Sequence, residues 1–456
     1  MSSHFDAIIV GAGQAGPFLA ARLSAAGMSV ALIERHLIGG TCVNTGCMPT
    51  KTLVASAYAA HLARRAADFG VLLASPVGID MRKIMQRAHT VTQNARQGLE
   101  SWLGGLSGCT LIRGHARLRG QREVLVGDQS LTADRIFLNV GARARVPDLP
   151  GAQEVELLTN GSLLRLEELP RHLVIVGGSY VGLEFAQAYR RFGAEVTVLE
   201  MGPRLIARED AAVSASVQEL LEGEGITVRT RAQCISFAPR SEGIEVGVDC
   251  ESGDRSQLAS HVLLAVGRIP NTGDLGCSEA GVDLDRQGYI TVDDHLQTSA
   301  PGIWALGDCN GHGGFTHTAY NDFEIVADNL LNGTDRRLRD RIPCYALFTD
   351  PPLGRVGLSE GQARAAGRTI RVGRRPMSRV GRATEKDERF GFMEIVIDAH
   401  KDAILGATIF GTGGDEAIHA IIDLMASGAS ATVLQRTVHI HPTVAELLPT
   451  IAAEAR

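Results

Sequence analysis

One pattern occurs twice in this chain, and it fixes most of what the chain can fold into. The apolar run Ala7-Ile8-Ile9-Val10 leads into Gly11-Ala12-Gly13-Gln14-Ala15-Gly16; a helical stretch continues to Ala26, and Ser29-Val30-Ala31-Leu32-Ile33 ends at the acid Glu34. This reads as strand, tight turn, helix and second strand. The glycines let a pyrophosphate approach the helix N-terminus, and Glu34 has the reach to accept hydrogen bonds from a ribose. A lone Gly-x-Gly-x-x-Gly is a weak signal, but framed by two strands and an acid it is a strong one. The pattern returns as Leu173-Val174-Ile175-Val176, Gly177-Gly178-Ser179-Tyr180-Val181-Gly182, and Glu195-Val196-Thr197-Val198-Leu199-Glu200. Ser179 replaces the middle glycine, so this turn alone reads equally as ordinary strand-to-helix packing. Repetition of the whole unit, with Gly177, Gly182 and Glu200 in place, makes it a second nucleotide site. Two such units imply an α/β fold and two nucleotide cofactors.

Directly after the first unit stands Gly39-Gly40-Thr41-Cys42-Val43-Asn44-Thr45-Gly46-Cys47-Met48-Pro49-Thr50-Lys51. In an undistorted helix a five-residue step separates Cα atoms by ~7.5 Å along the axis, beyond the ~6.8 Å a disulfide tolerates. Bridging Cys42 and Cys47 therefore requires a bend, for which Gly46 supplies the backbone freedom, and a strained bridge is easier to reduce than a relaxed one. Pro49 suits the first turn of a following helix, and Lys51 brings a cation within one turn of Cys47. The plain alternative, two buried cysteines that never meet, does not account for these neighbours.

The rest of the composition narrows the class. The 456 residues suggest about three domains. No uninterrupted apolar stretch is long enough to span a bilayer, and residues 1–10 run straight into a strand with no basic or cleavable apolar segment ahead of it. A cytoplasmic location is the default expectation. A net charge of −6 and 5% aromatic residues offer little to a nucleic acid. Cys109, Cys234, Cys250, Cys277, Cys309 and Cys344 are scattered without metal-ligand spacing and are expected to be buried thiols.

The cysteine segment and the two glycine units together resemble the flavin-dependent pyridine nucleotide-disulfide oxidoreductases, the family of glutathione reductase, lipoamide dehydrogenase and mercuric reductase. The resemblance extends over essentially the full chain. It implies two nested Rossmann-like domains and a C-terminal α+β dimerisation domain, with FAD in the first glycine unit and NADH or NADPH in the second. FAD would be held by residues 1–150 and 271–341, the nicotinamide nucleotide by 151–270, and 342–456 would form a homodimer. The turn residues Pro147-Asp148-Leu149-Pro150-Gly151 and Gly267-Arg268-Ile269-Pro270-Asn271 suit the two crossings. Alternation in Phe392-Met393-Glu394-Ile395-Val396-Ile397 suggests antiparallel strands, and 415–427 reads as a helix. By the same match Gly40, Thr41, Gly141 and Asp308 contact the flavin, Asp308 at its ribityl hydroxyls. The helix opened by Phe315-Thr316-His317-Thr318-Ala319 points its positive end at the ring, with His317 equally readable as a capping or packing residue. Lys51 and Glu184 match an ion pair beside the flavin, although Glu184 taken alone reads as a solvated helix charge.

Near the C-terminus, His439-Ile440-His441-Pro442-Thr443-Val444-Ala445-Glu446 resembles the family's histidine-glutamate dyad. His441 would then be the acid-base for the partner subunit's sulfur pair, with Glu446 orienting it; His439 has no matching role. Cys47 would face the flavin and Cys42 would attack a small disulfide. Glu200 favours NADH over NADPH, because a carboxylate binds ribose hydroxyls and repels a 2′-phosphate, while Arg204 and Arg208 nearby pull the other way. Residues 315–322 look closest to proteins grouped with mercuric reductase. The chain nonetheless ends in 447–456 without a cysteine pair and carries no N-terminal metal-binding module, which disfavours a dedicated mercuric reductase. A metal or reactive-oxidant reductase using Cys42 and Cys47 is the second reading, and a flavoprotein component of a multienzyme complex the third.

Overall fold

A computed structural model describes residues 3–249 and 254–456. The first glycine unit lies in a seven-stranded sheet. Strands Cys109–Arg113, Val30–Glu34, Ser3–Val10 and Gln129–Leu138 run parallel in that order, and the antiparallel Glu123–Val126 and Ala116–Leu118 extend the edge. All five residues of Val30–Glu34 are buried, as expected of a parallel strand covered on both faces. The strand Ile303–Ala305 returns to this sheet and pairs with Gln129–Leu138, although a second sheet has formed in the sequence between them.

That second sheet is parallel, in the order Thr227–Arg229, Glu195–Leu199, His172–Val176 and His261–Leu264, so the second glycine unit repeats the arrangement of the first. A three-stranded antiparallel sheet, Gln233–Arg240, Gly243–Asp249 and Ser256–Ala259, is attached to it. The C-terminal unit is a five-stranded antiparallel sheet in the order Cys344–Leu347, Leu353–Gly357, Ile404–Phe410, Phe392–Asp398 and Ile370–Pro376. The alternating run at 392–397 is therefore a central strand, buried at every position rather than on one face. The helix expected over 415–427 is two shorter ones, Gly414–Ala417 and His419–Ala426, with Ile418 between them keeping helical backbone angles. Among the described residues no helix is long and apolar enough to cross a membrane.

The expectation of uniformly buried spare thiols is corrected. Cys277 and Cys309 are buried and Cys109 and Cys344 half-buried, but Cys234 is exposed on an irregular stretch of strand Gln233–Arg240. Cys250 lies outside the described residues.

Candidate active site

The first turn is built around Asn139, which follows the strand Gln129–Leu138. Gly11 has φ +105°, and a Cβ there would sit 2.3 Å from the Asn139 carbonyl oxygen, so no larger residue fits. The Asn139 amide in turn donates to the Gly11 carbonyl at 3.2 Å. Glu34 braces the turn from the neighbouring strand: Oε2 accepts from the Ala12 N–H at 2.8 Å and Oε1 from the His36 N–H at 2.7 Å. Gly11, Gly13 and Glu34 line one end of a cavity of about 990 Å³. Gly40, Thr41 and Gly141 line it further along, and Asp308 and the two cysteines face it as well. Gly16 lies outside the lining, packed against the Gly11 carbonyl.

The bend required between the cysteines is present. The helix Gly40–Thr45 stops at Gly46 and a new helix, Cys47–Arg64, begins at the second cysteine. A Cβ on Gly46 would lie 2.8 Å from the Thr41 carbonyl oxygen. Both cysteines are free thiols here, and they are not equivalent. Their mutual hydrogen bond lowers the Cys47 pKa to about 6; Thr316, whose hydroxyl is 3.6 Å from Sγ, and the charge of Lys51 act in the same direction. Cys47 opens onto the cavity yet is ringed by protein, so burial and Glu184 oppose this without overcoming it. Position at the start of a long helix adds the favourable end of its dipole. The same hydrogen bond, with burial, pushes the Cys42 thiol far up. The anion is therefore favoured on Cys47 over Cys42.

Lys51 Nζ meets Glu184 Oε2 at 2.7 Å, and Glu184 is not a solvated helix charge: its side chain is only 4% exposed. Its other oxygen accepts from the Phe348 N–H at 3.0 Å, and the ammonium lies 4.6 Å from the centre of the Phe348 ring. One carboxylate thus joins the cysteine helix, the second nucleotide unit and the C-terminal unit. Three contributors went unassigned in the sequence. Thr316 and Phe348 had no motif of their own, and Arg268 read only as part of a turn. Arg268 pairs with Asp308 at 3.4 Å and donates to Thr41 Oγ1 at 3.1 Å. His317 turns its Nε2 to the Cys344 carbonyl at 2.8 Å and stacks on Phe315, which makes it a packing residue of the cavity wall with its pKa lowered by burial.

In the second unit Glu200 repeats the brace, accepting from the Gly178 N–H at 2.7 Å and the Gly202 N–H at 2.6 Å. Gly182 packs on the Gly177 carbonyl, where a Cβ would be 2.3 Å away. None of Gly177, Gly182 and Glu200 lines the cysteine cavity, whereas Ser179, Tyr180 and Glu184 do. His441 and Glu446 are joined, Nδ1 to Oε2 at 2.7 Å, but the dyad lies outside the cavity. The imidazole is 80% exposed while its carboxylate is 13% exposed. Val438 and Ile440 beside it are exposed too.

The lining fits FAD. A continuous cavity runs from a ribose-type acid at one end to a polarised sulfur at the other, and Arg268, whose Nε has no protein partner, stands in its wall. A fold that can pass electrons from one nucleotide site to another and then to a pair of sulfurs belongs to the flavoprotein disulfide oxidoreductases that draw on NAD(P)H. Residues 5–322 match the family described as pyridine nucleotide-disulphide oxidoreductase, and residues 344–452 match that family's dimerisation domain. The chain belongs to this family, and its C-terminal unit supports a homodimer. Among its relatives, the probable pyridine nucleotide-disulfide oxidoreductase RclA of Escherichia coli K12 is 33% identical over 98% of each chain. A dihydrolipoyl dehydrogenase of Thermus scotoductus is 33% identical over 99% of this chain and 97% of its own. A mercuric reductase of Streptomyces lividans is 34% identical over 97% and 94%. The solved structure of the Cu(II) complex of the HOCl-induced flavoprotein disulfide reductase RclA superimposes with a TM-score of 0.90 at 31% identity, covering 100% of both chains.

Proposed function

We propose that this enzyme passes two electrons from a nicotinamide nucleotide, NADH in preference to NADPH, to a small disulfide in the cytoplasm. FAD, when bound, supplies the two-electron relay between the nicotinamide and the sulfur pair. Residues 1–150 and 271–341 hold it, residues 151–270 hold the nicotinamide nucleotide, and residues 342–456 form the dimer. Gly11, Gly13, Gly16, Gly40, Thr41 and Gly141 serve the first site, with Glu34 at the ribose and Asp308 at the ribityl chain; Gly177, Gly182 and Glu200 serve the second.

The observation that carries this reading is the placement of the cysteine pair: both sulfurs face the cavity, and Cys47 opens a long helix beside the Thr316 hydroxyl, surroundings that with Lys51 favour its thiolate over that of Cys42. In turnover Cys42 loses its proton to the partner subunit's His441 and attacks one sulfur of the acceptor. The leaving thiolate takes that proton back and departs as a thiol. Cys47 then attacks the Cys42 sulfur, closes the intramolecular bridge and releases the second half of the acceptor, which is protonated from solvent. Glu446 orients the imidazole, and Lys51 and Glu184 hold the charge balance beside Cys47. Because the dyad is complete, its imidazole is exposed and neither residue lines the cavity of its own chain, it suits service in another.

A panel of glutathione disulfide, lipoamide, other low-molecular-weight disulfides and Hg(II), each with NADH and NADPH, tests the reading. One disulfide should stand out, and Cys42→Ser should abolish its reduction while leaving flavin reduction by NADH intact. Turnover of every disulfide at background rates would sink the proposal. A second reading, reduction of a soft metal or reactive oxidant by the same two cysteines, draws support from the Cu(II) complex of the RclA relative. It predicts that Hg(II) or Cu(II) outpaces every disulfide in the same panel.

A further inference from the structure

We infer that Asp322, a residue to which the sequence assigned no role of its own, is the positioning residue for Asp308, and that Arg341 is the counter-charge this requires. The inference rests on the reading that Asp308 meets the ribityl hydroxyls of FAD.

Asp308 sits in the one-turn segment Gly307–Asn310, and Asp322 lies behind it on the helix Thr316–Asn332 with only 2% of its surface exposed. A single oxygen, Asp322 Oδ2, accepts from the Gly307 N–H at 2.7 Å and from Asn310 Nδ2 at 2.9 Å. The two donors stand on either side of Asp308. Asn310 Nδ2 also donates to the Ala305 carbonyl at 3.1 Å, so the far end of the turn is tied to the strand that delivers it. Between these ties the buried Cys309 thiol donates to the Leu306 and Leu138 carbonyls at 3.3 and 3.4 Å. Asp308 is left facing the cavity, 3.4 Å from Arg268.

The arrangement explains why an acid occupies position 322. Two donors converge on one oxygen, which a carboxylate satisfies with lone pairs to spare. Asparagine would keep the volume but hold an NH₂ either towards those donors or towards Arg341, leaving donors facing each other. A buried carboxylate in turn needs a cation, and Arg341 Nη2 pairs with Asp322 Oδ1 while its Nε donates to Asn321 Oδ1 at 2.8 Å. Arg341 stands just ahead of the first strand of the C-terminal unit, Cys344–Leu347. The Cys344 carbonyl holds His317 on the first turn of the same helix. The Asp308 turn is therefore set from the junction between the flavin-binding and dimerisation segments.

Asp308→Asn, Asp322→Asn and the double variant, purified as holoproteins, are compared by FAD released into ultrafiltrate on dilution and by the visible flavin spectrum. Each single variant should weaken FAD retention by about tenfold or more, the scale of a lost hydrogen bond to a charged group, with the same displacement of the flavin band. The double variant should be no more than about twofold worse than the weaker single, because both changes remove one contact. Multiplying effects, or an Asp322→Asn protein that loses FAD while keeping the parent's spectrum, would overturn the inference. Parent-like FAD retention in Asp308→Asn would instead overturn the reading of Asp308 itself. If Asp322→Asn fails to fold, Arg341→Met and Arg341→Lys carry the test. Met should reproduce the Asp308→Asn spectrum and Lys should stay within about threefold of the parent; parent-like behaviour of Arg341→Met overturns the inference.

Discussion

The two nucleotide units share a skeleton down to single hydrogen bonds and differ in what the chain does next. In each, the acid closing the second strand accepts one N–H from the residue after the first glycine and one from two positions downstream: Ala12 and His36 for Glu34, Gly178 and Gly202 for Glu200. The carbonyl of that post-glycine residue then accepts from the loop beyond, Gly39 to Ala12 at 2.8 Å and Ile206 to Gly178 at 2.9 Å. Past that point the first unit runs straight into the cysteine helices and is closed over by Asp308 and Thr316. The second runs into a loop carrying Arg204 and the exposed Arg208, with its acid outside the cavity. The acids are therefore braces of the fold before they are ligands. About half of each carboxylate's roughly four acceptor sites is committed to its own turn. What separates the units chemically is the loop each second strand delivers.

The sharpest way to break this comparison is to damage the same point in each unit. Gly11→Ala would place a methyl 2.3 Å from the Asn139 carbonyl and Gly177→Ala one 2.4 Å from the Ala265 carbonyl, both at positive φ. The first should give colourless protein. The second should stay yellow but be reduced by NADH at least ~100-fold more slowly, the penalty for misplacing a reactant by about 1 Å. Absorbance at the flavin bands and anaerobic stopped-flow reduction read the two outcomes, and equal flavin loss in both would erase the distinction.

A proton carrier drawn from neither unit should give the next largest effect. His441→Ala is expected to slow acceptor reduction by ~10²–10⁴-fold with flavin reduction unchanged. Verified heterodimers that pair a Cys42→Ser chain with a His441→Ala chain should regain one intact site; no recovery would place the dyad outside catalysis in the partner.

The first unit's loop should also announce itself in pH dependence. With the reduced Cys47 thiol lowered to about 6, its thiolate absorbance should be nearly complete at pH 7 and fade as pH drops through about 6. Lys51→Met and Thr316→Val each remove a group that favours the anion, so either should move this midpoint upward. A midpoint near the ordinary thiol value in the parent enzyme would contradict the assigned asymmetry.

The smallest effect belongs to the second unit's acid. Glu200→Gln keeps one of the two acceptors its turn uses and removes the charge that would face a 2′-phosphate, so kcat/KM for NADPH should rise relative to NADH by several-fold to ~10-fold, about 1 kcal/mol of lost repulsion. If the parent already prefers NADPH, Arg204 and Arg208 decide the choice and the role given to Glu200 is wrong.

Local pattern made the strand-turn-helix units and the bend at Gly46 legible in the sequence, because each is written within a few dozen residues. The pairings of Lys51 with Glu184 and of His441 with Glu446 were expected from family resemblance, as was the proposed flavin contact of Asp308. Spacing along the chain says nothing about a carboxylate meeting an ammonium from a helix far away. Thr316 beside Cys47, Phe348 against Glu184 and Asp322 behind Asp308 were silent for the same reason. These contacts exist only once three sheets have closed on one cavity. The exposure of Cys234 was misjudged because composition favours buried thiols, whereas the register slip between Gln233 and Ser236 interrupts the regular pairing of that strand.

The Lys51–Glu184 pair also constrains how this enzyme can change over generations. Losing Lys51 strands a carboxylate only 4% exposed, at a cost of up to ~3–5 kcal/mol, a large share of the margin by which a protein stays folded, whereas losing Glu184 leaves an ammonium that is still a third exposed. Replacing both together with apolar residues of similar volume would cost far less. Point mutation by point mutation, a lineage must cross a stability valley to leave this arrangement, and the Phe348 N–H, left without its acceptor, deepens it. The pair acts as an evolutionary ratchet, easier to inherit than to dismantle.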